Sequence, residues 1–130
     1  MDINELCTEA HENAVSKGFY DGNPSFGALL MQVVEELGEA SDADRKGKRT
    51  KGAYAEVWND WYSDNPKGKE YADMIKAYKT GIKDTVESEL ADAFIILAGI
   101  CKSRNIDIDA HIQAKIRYNR TRERLHGKEY

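Results

Sequence analysis

The chemistry in this sequence is carried by acidic side chains at helical spacing. Glu36 and Glu39 stand three residues apart, as do Glu89 and Asp92. On an α-helix that spacing stacks both members of a pair on one side, one turn apart. At about 100° per residue, Glu36 falls at the edge of an apolar stripe, while Glu35 points further towards solvent. The second pair conflicts more sharply with its surroundings. Glu89 projects among Ala93, Ile96 and Ile100, and Asp92 lies one turn along the same side. Burying an unpaired carboxylate costs several kcal/mol, so a fold that turns four of them inward must supply cations or lose stability. A divalent metal ion answers that need. All-oxygen ligands favour Mg²⁺ or Mn²⁺ over zinc, and Mg²⁺ shares its remaining positions with water and phosphate oxygens, so this ligand set suggests phosphate chemistry. The plain alternative is a solvated helix face, since 32% of the chain is charged. Residues 35–39 are open to that reading. For Glu89 the apolar neighbours argue against it and leave a buried ion pair with Lys115 or Arg122 as the competing account.

The last part of the chain shows the same conflict with the opposite sign. Lys115, Asn119 and Arg122 fall within about a third of a turn of the stripe Ile108, Ile112, Ile116. Lys and Arg can neutralise a triphosphate and Asn119 can donate to a phosphate or sugar oxygen, unless these groups pair with the acids themselves. Arg117, Arg120, Arg124 and Lys128 make the tail basic, and residues 45–51 form a second basic run that is more often a solvated loop than an electrostatic funnel. Gly47-Lys48 is followed by Arg49, so the phosphate-loop pattern GxxxxGK[ST] is absent.

These residues need helices to position them. Apolar residues recur at three and four rather than at two, and Pro24 and Pro66 are the only prolines, which predicts an all-α chain. Asp2 with Glu5 opens a first helix with Ile3, Leu6, Cys7, Ala10 and Ala14 on one face, ending near Gly18. Ser25 can cap a second helix to about Lys46, with Phe26, Leu30, Val33, Leu37 and Ala40 inward. Residues 47–83 are polar and glycine-spaced, with two shorter helices expected over 53–61 and 70–80. Asp84 with Glu87 forms a second capping box, opening a helix to about Ser103 with Val86, Leu90, Ala93, Leu97 and Ile100 inward. Asn105 and Asp107 mark a break before the last helix. The expected architecture is one domain over 1–130: a bundle of four main helices plus one or two short inserted ones, completed by oligomerisation.

With 19 basic and 23 acidic residues the net charge of -4 creates no global field that calls for nucleic acid or a membrane. Cys7 and Cys101 lack metal-ligand spacing and fit reduced thiols in a cytoplasmic protein. No apolar run approaches the length of a membrane span. His11, His111 and His126 share no spacing with the acids, and no Glu-x-x-His pair suggests a di-iron bundle; they are expected at the surface or as caps. Trp58, Trp61 and Tyr62 cluster in the inserted region, and Phe19 and Tyr20 precede the second helix. Any of these can stack on a nucleobase, although packing is the commoner role for such residues.

Taken in order, Glu35-Glu36-Leu37-Gly38-Glu39, Glu89-Leu90-Ala91-Asp92 and Lys115-xxx-Asn119-xx-Arg122 resemble the MazG-like family of all-α NTP pyrophosphatases. The resemblance covers roughly 26–46 and 84–130, including His126-Gly127-Lys128. It implies that Glu36, Glu39, Glu89 and Asp92 bind the metal, Mg²⁺ or Mn²⁺, with Glu35 as a supporting acid. It further implies that Lys115, Asn119 and Arg122 hold the phosphates, and that the enzyme works as a homodimer or homotetramer. The implied reaction is attack of a metal-activated water on a nucleoside triphosphate, releasing a nucleoside monophosphate and pyrophosphate, with one of the glutamates able to serve as general base. Two departures stand out. Residues 40–88 make a longer link than many relatives have, and Ile96 stands where some carry a phosphate-binding tyrosine. Trp58 and Trp61 in that link are the candidates for the nucleobase. The competing readings are a non-catalytic helical module that binds nucleotides or nucleic acid through its basic segments, and a purely structural dimeric bundle.

Overall fold

A computed structural model describes residues 1–51 and 69–124, with the side chains of Lys69 and Glu70 outside that description. Within these residues the chain is all helical, without strands: α1 (Ile3–Ser16), α2 (Phe26–Arg45), α3 (Lys69–Gly81), α4 (Val86–Ser103) and α5 (Ile108–Arg120). None of these helices is long and apolar enough to cross a membrane. The chain divides into two compact units, Met1–Phe26 with Ile95–Tyr130, and Gly27–Phe94. The expected helix over 70–80 is α3; the one over 53–61, with Trp58, Trp61 and Tyr62, lies outside the described residues.

Local chemistry sets the helix ends. Asp2 caps α1, accepting from the Glu5 amide at 2.8 Å, while the Glu5 carboxylate accepts from the Asp2 amide at 3.1 Å, completing the expected box. At its far end Gly18, at φ 86°, reverses the chain, and the amides of Phe19 and Gly18 return to the carbonyls of Ala14 and Val15. The same closure ends α2, where Gly47 is at φ 67° and the Lys48 amide reaches the Ala43 carbonyl at 2.9 Å. Asn105, at φ 55°, ends α4 in this way through Ile106 and Cys101, and Asp107 then caps α5 by accepting from Ala110.

The first unit packs small side chains. Cys7 and Ala10 of α1 meet Ala98 and Cys101 of α4, with Ile3, Leu6 and Ile108 against them. Gly99 is buried, and a β-carbon there would sit 3.5 Å from the His11 amide nitrogen, so the two helices approach along their backbones. Both cysteines are free, and burial raises both thiol pKa values. His11 packs edge-on against the Tyr20 ring at 4.9 Å, and the Arg104 guanidinium lies 5.2 Å over Phe26. His111 is exposed, as expected of a surface histidine, and His126 lies outside the described residues.

In the second unit residues 48–51 are tied to the start of α4. The Val86 amide donates to the Lys48 carbonyl at 3.0 Å, and the Thr50 and Thr85 hydroxyls are 3.0 Å apart. Glu87 receives Arg49 Nε at 2.7 Å and the Thr50 amide at 2.9 Å. This corrects the capping box expected from Asp84 and Glu87. Asp84 takes a left-handed conformation at φ 63°, and the N-cap role passes to Thr85, whose buried hydroxyl accepts from the Ser88 amide at 3.2 Å. Glu87 is thereby released to hold the loop. Partial desolvation pushes its carboxyl up, but the Thr50 amide and Arg49 outweigh that and hold it at about 2. The half of the basic run nearest α4 is therefore pinned rather than freely solvated.

The expected inward stripes also need correction. On α2 the buried residues are Leu29, Ala40 and Ala43, whereas Phe26, Leu30 and Leu37 are exposed. At about 100° per residue, Leu29, Ala40 and Ala43 flank Glu36 itself, so the inward face of α2 is centred on the acid, about a quarter-turn from the larger side chains. On α4, Ala93 and Ile100 are buried as expected, but Leu90 and Leu97 are exposed. Ile112 and Ile116 of α5 are exposed too, and no residue of α5 is buried. Apart from Leu29 and Ile100, small residues take the inward positions on α2 and α4, and many of the bulky ones are exposed.

Candidate metal centre

The inward faces of α2 and α4 meet at their acids. One carboxylate oxygen from each of Glu36, Glu89 and Asp92 lies within 4.8 Å of the other two. Glu89 is the deepest of these, with 7% of its surface exposed; Glu36 is half-buried and Asp92 lies at the rim. Ala93 and Ile100, on the same side of α4 as Glu89, are both buried. The sequence conflict at Glu89 is therefore present in three dimensions.

Glu39, one turn beyond Glu36, is exposed and stands outside the tight three-acid group, but its carboxylate hydrogen-bonds Glu89. All four acids line one cavity of about 380 Å³, together with Tyr78, Lys79 and Lys83. A second cavity, of about 240 Å³, shares Glu39 and Glu89 with Asp42, Asp84 and Lys48. Glu35 is exposed, in keeping with its expected orientation.

The electrostatics follow from this crowding. Burial pushes the Glu89 carboxyl up to about 7, reinforced by hydrogen bonds and charge from Glu36 and Glu39. Burial also raises Glu36, opposed by the hydrogen bond from Glu89 and helped by the charges of Glu39 and Asp92. Asp92 is raised by partial desolvation and by the Glu39 charge. The contrast with Asp42 is instructive. That carboxylate bonds Arg45 at 2.6 Å and Lys46 at 2.8 Å, which hold it at about 2. Acids with cationic partners ionise readily here, whereas Glu36, Glu89 and Asp92 resist ionisation.

No protein-family profile, curated protein or solved structure matches this chain. Its chemistry is accordingly argued from the site itself. Three carboxylates that can turn oxygens towards one point form a hard donor set, which fits Mg²⁺ or Mn²⁺ and lacks the nitrogen and sulfur ligands of a structural zinc site. A divalent cation there would replace the retained protons as the source of compensating charge.

The other expected site residues are described within their own unit. Lys115 and Asn119 of α5 and Arg122 just beyond it belong to the first unit. The Lys115 ammonium and Arg122 guanidinium lie 5.2 and 5.6 Å from the centre of the Tyr118 ring. Asn119 Oδ1 is buried without a hydrogen-bond partner among the described residues. Trp58 and Trp61 lie outside the description. Ile96, where a phosphate-binding tyrosine was missing, is half-buried. The sequence reading passed over Tyr78, Lys79, Lys83 and Ser88. Their only signal was a lysine pair spaced four apart in the inserted region, and nothing in that pattern pointed to the acids.

A pH dependence follows for the metal-free protein. Below the ordinary glutamate value of 4.5, Glu89 is protonated in folded and unfolded chains alike. As pH rises from there through about 7, the unfolded chain releases this proton while the folded one retains it, so stability falls across that window. Thermal unfolding in EDTA should show a midpoint that declines from pH 4.5 to 7, with a shallower decline in Glu89→Gln. Equal slopes for the two proteins would contradict the assignment.

Proposed function

We propose that this chain is a Mg²⁺-dependent nucleoside triphosphate pyrophosphohydrolase of the MazG-like type, cleaving between the α and β phosphates to give a nucleoside monophosphate and pyrophosphate. The observation that carries this reading is the convergence of Glu36, Glu89 and Asp92 from two helices within 4.8 Å, with Glu89 buried among them. These three carboxylates would hold the ion, and Glu39, bonded to Glu89, completes the acidic set. Mg²⁺ bound there supplies a lowered water pKa, a template for in-line attack and charge to offset the leaving pyrophosphate.

The protein's own part is positional and acid–base. Glu89, pushed up to about 7 by burial, is basic enough when ionised to accept a proton from a reacting water. Asp92, which lines the cavity, is exposed to solvent. By the resemblance, Lys115, Asn119 and Arg122 contact phosphate, and Trp58 or Trp61 the base. Free, buried cysteines fit a reducing, cytoplasmic setting.

A completed bundle of two or four copies belongs to the same reading. Its support is the apolar surface left uncovered: Leu30, Met31, Val34 and Leu37 on α2, and Phe94, which is 70% exposed, on α4. Sedimentation should give a mass that is a multiple of 14.7 kDa and falls on dilution. A monomer at all concentrations would contradict the completed bundle.

Activity is tested by incubating the protein with canonical NTPs and dNTPs in Mg²⁺ and following pyrophosphate release. At least one substrate should be cleaved, EDTA should abolish turnover, and Glu36→Gln or Asp92→Asn should lower kcat by about 100-fold. Metal-independent, salt-sensitive nucleotide binding without pyrophosphate release would instead favour a non-catalytic module.

A further inference from the structure

The acids account for one side of the chemistry and leave open which groups meet the anionic part of the substrate. Lys79 stands in the last turn of α3, and Lys83 follows in the short link to α4. Both line the cavity that Glu36, Glu39, Glu89 and Asp92 line. Both side chains are exposed, and neither forms an ion pair with any described residue. That is unexpected for ammonium groups bordering a cavity with four acids, because Arg45, Lys46 and Arg49 all pair with carboxylates in this same unit. The two lysines border the acidic space without collapsing onto it.

Their backbone is held in place. The Tyr78 hydroxyl is 2.7 Å from Ser88 Oγ, joining α3 to the first turns of α4, and Ser88 is buried next to Glu89 in sequence. The Tyr78 carbonyl accepts from the amides of both Ile82 and Lys83 at 2.9 Å, which fixes the start of the link that carries Lys83. One tyrosine thus ties the lysine-bearing segment to the helix that bears Glu89 and Asp92. An ammonium on a flexible stem acts as a mobile point charge, suited to the non-planar oxygens of a polyphosphate and able to follow it as it shifts.

We propose that Lys79 and Lys83 are substrate-binding residues that hold the polyphosphate of a nucleoside triphosphate within the cavity lined by the carboxylate cluster. The inserted region then supplies phosphate ligands of its own, in addition to those the resemblance assigns to α5. Selectivity for the triphosphate over the monophosphate product follows, since the product has lost the oxygens that two separate cations can share. This inference rests on the metal-dependent hydrolase reading and extends it to residues that reading does not include.

The test uses the full chain and calorimetric titration with two probes: Mg²⁺ alone, and inorganic tripolyphosphate in saturating Mg²⁺, which removes any contribution from base or sugar. The variants are Lys79→Gln, Lys83→Gln, the double Gln variant and the double Arg variant. The double Gln variant should bind Mg²⁺ no more weakly than wild type yet bind tripolyphosphate about 10-fold or more weakly. KM for a cleaved nucleotide should rise more than kcat falls, the single variants should lie between, and the double Arg variant should recover most of the affinity. Unchanged tripolyphosphate affinity in the double Gln variant, with or without tighter Mg²⁺ binding, would show that the lysines only offset the acids and overturn the inference while leaving the metal site standing. Failure of the wild type to bind Mg²⁺ at all overturns this inference together with the reading beneath it.

Discussion

Three carboxylates from two helices share a space in which their charges repel, and the second unit is organised around that repulsion. Glu36 lies on the side of α2 that buries Leu29, Ala40 and Ala43, and Glu89 lies on the side of α4 that buries Ala93 and Ile100. Burial first, then the hydrogen bonds and charges of Glu36 and Glu39, push Glu89 up to about 7, so it keeps a proton that an ordinary glutamate releases. The ion-paired carboxylates of Asp42 and Glu87, held near 2, show what this protein does when an acid is there for structure alone.

The surrounding contacts serve to hold this arrangement still. Thr85 caps α4, Glu87 clamps Arg49 and the Thr50 amide, and Tyr78 bonds Ser88, so the first turn of α4 is tied to both the chain that follows α2 and the chain that ends in α3. Glu89 follows directly on these anchors. A ligand set whose geometry must hold to fractions of an ångström benefits from such support, because each partner that fixes the helix start also fixes the rotation at which its acids emerge.

Much of this was legible in the sequence, and the parts that were not have physical causes. The all-α character, the Asp2 cap, the breaks at Gly18 and at Asn105 and Asp107, and the burial of Glu89 follow from periodicity and from residue types with strong local preferences. The inward stripes followed only in part: Ala40 of α2 and Ala93 and Ile100 of α4 are buried as expected, but Leu30, Leu37, Leu90 and Leu97 are not, nor are Ile112 and Ile116 of α5. Periodicity marks where large apolar side chains align but does not say whether they pack within the chain or remain for another surface, and here Leu29 and Ala43 joined Ala40 inside α2 while Leu30 and Leu37 did not. Asp84 and Glu87 matched a capping box by spacing, yet neighbouring Thr85 could cap equally well, and the tertiary bond to Arg49 decided between them. Lys79 and Lys83 were invisible as site residues because only the fold brings α3 beside the acids.

The account stands on a divalent ion occupying the point where Glu36, Glu89 and Asp92 converge. Crystals grown with Mn²⁺ and measured at the manganese absorption edge address that point directly. The account predicts an anomalous peak at bonding distance from carboxylate oxygens of all three residues, lost in crystals of Asp92→Asn or Glu36→Gln. A map without a peak among these acids, or with manganese bound only elsewhere on the surface, would contradict it.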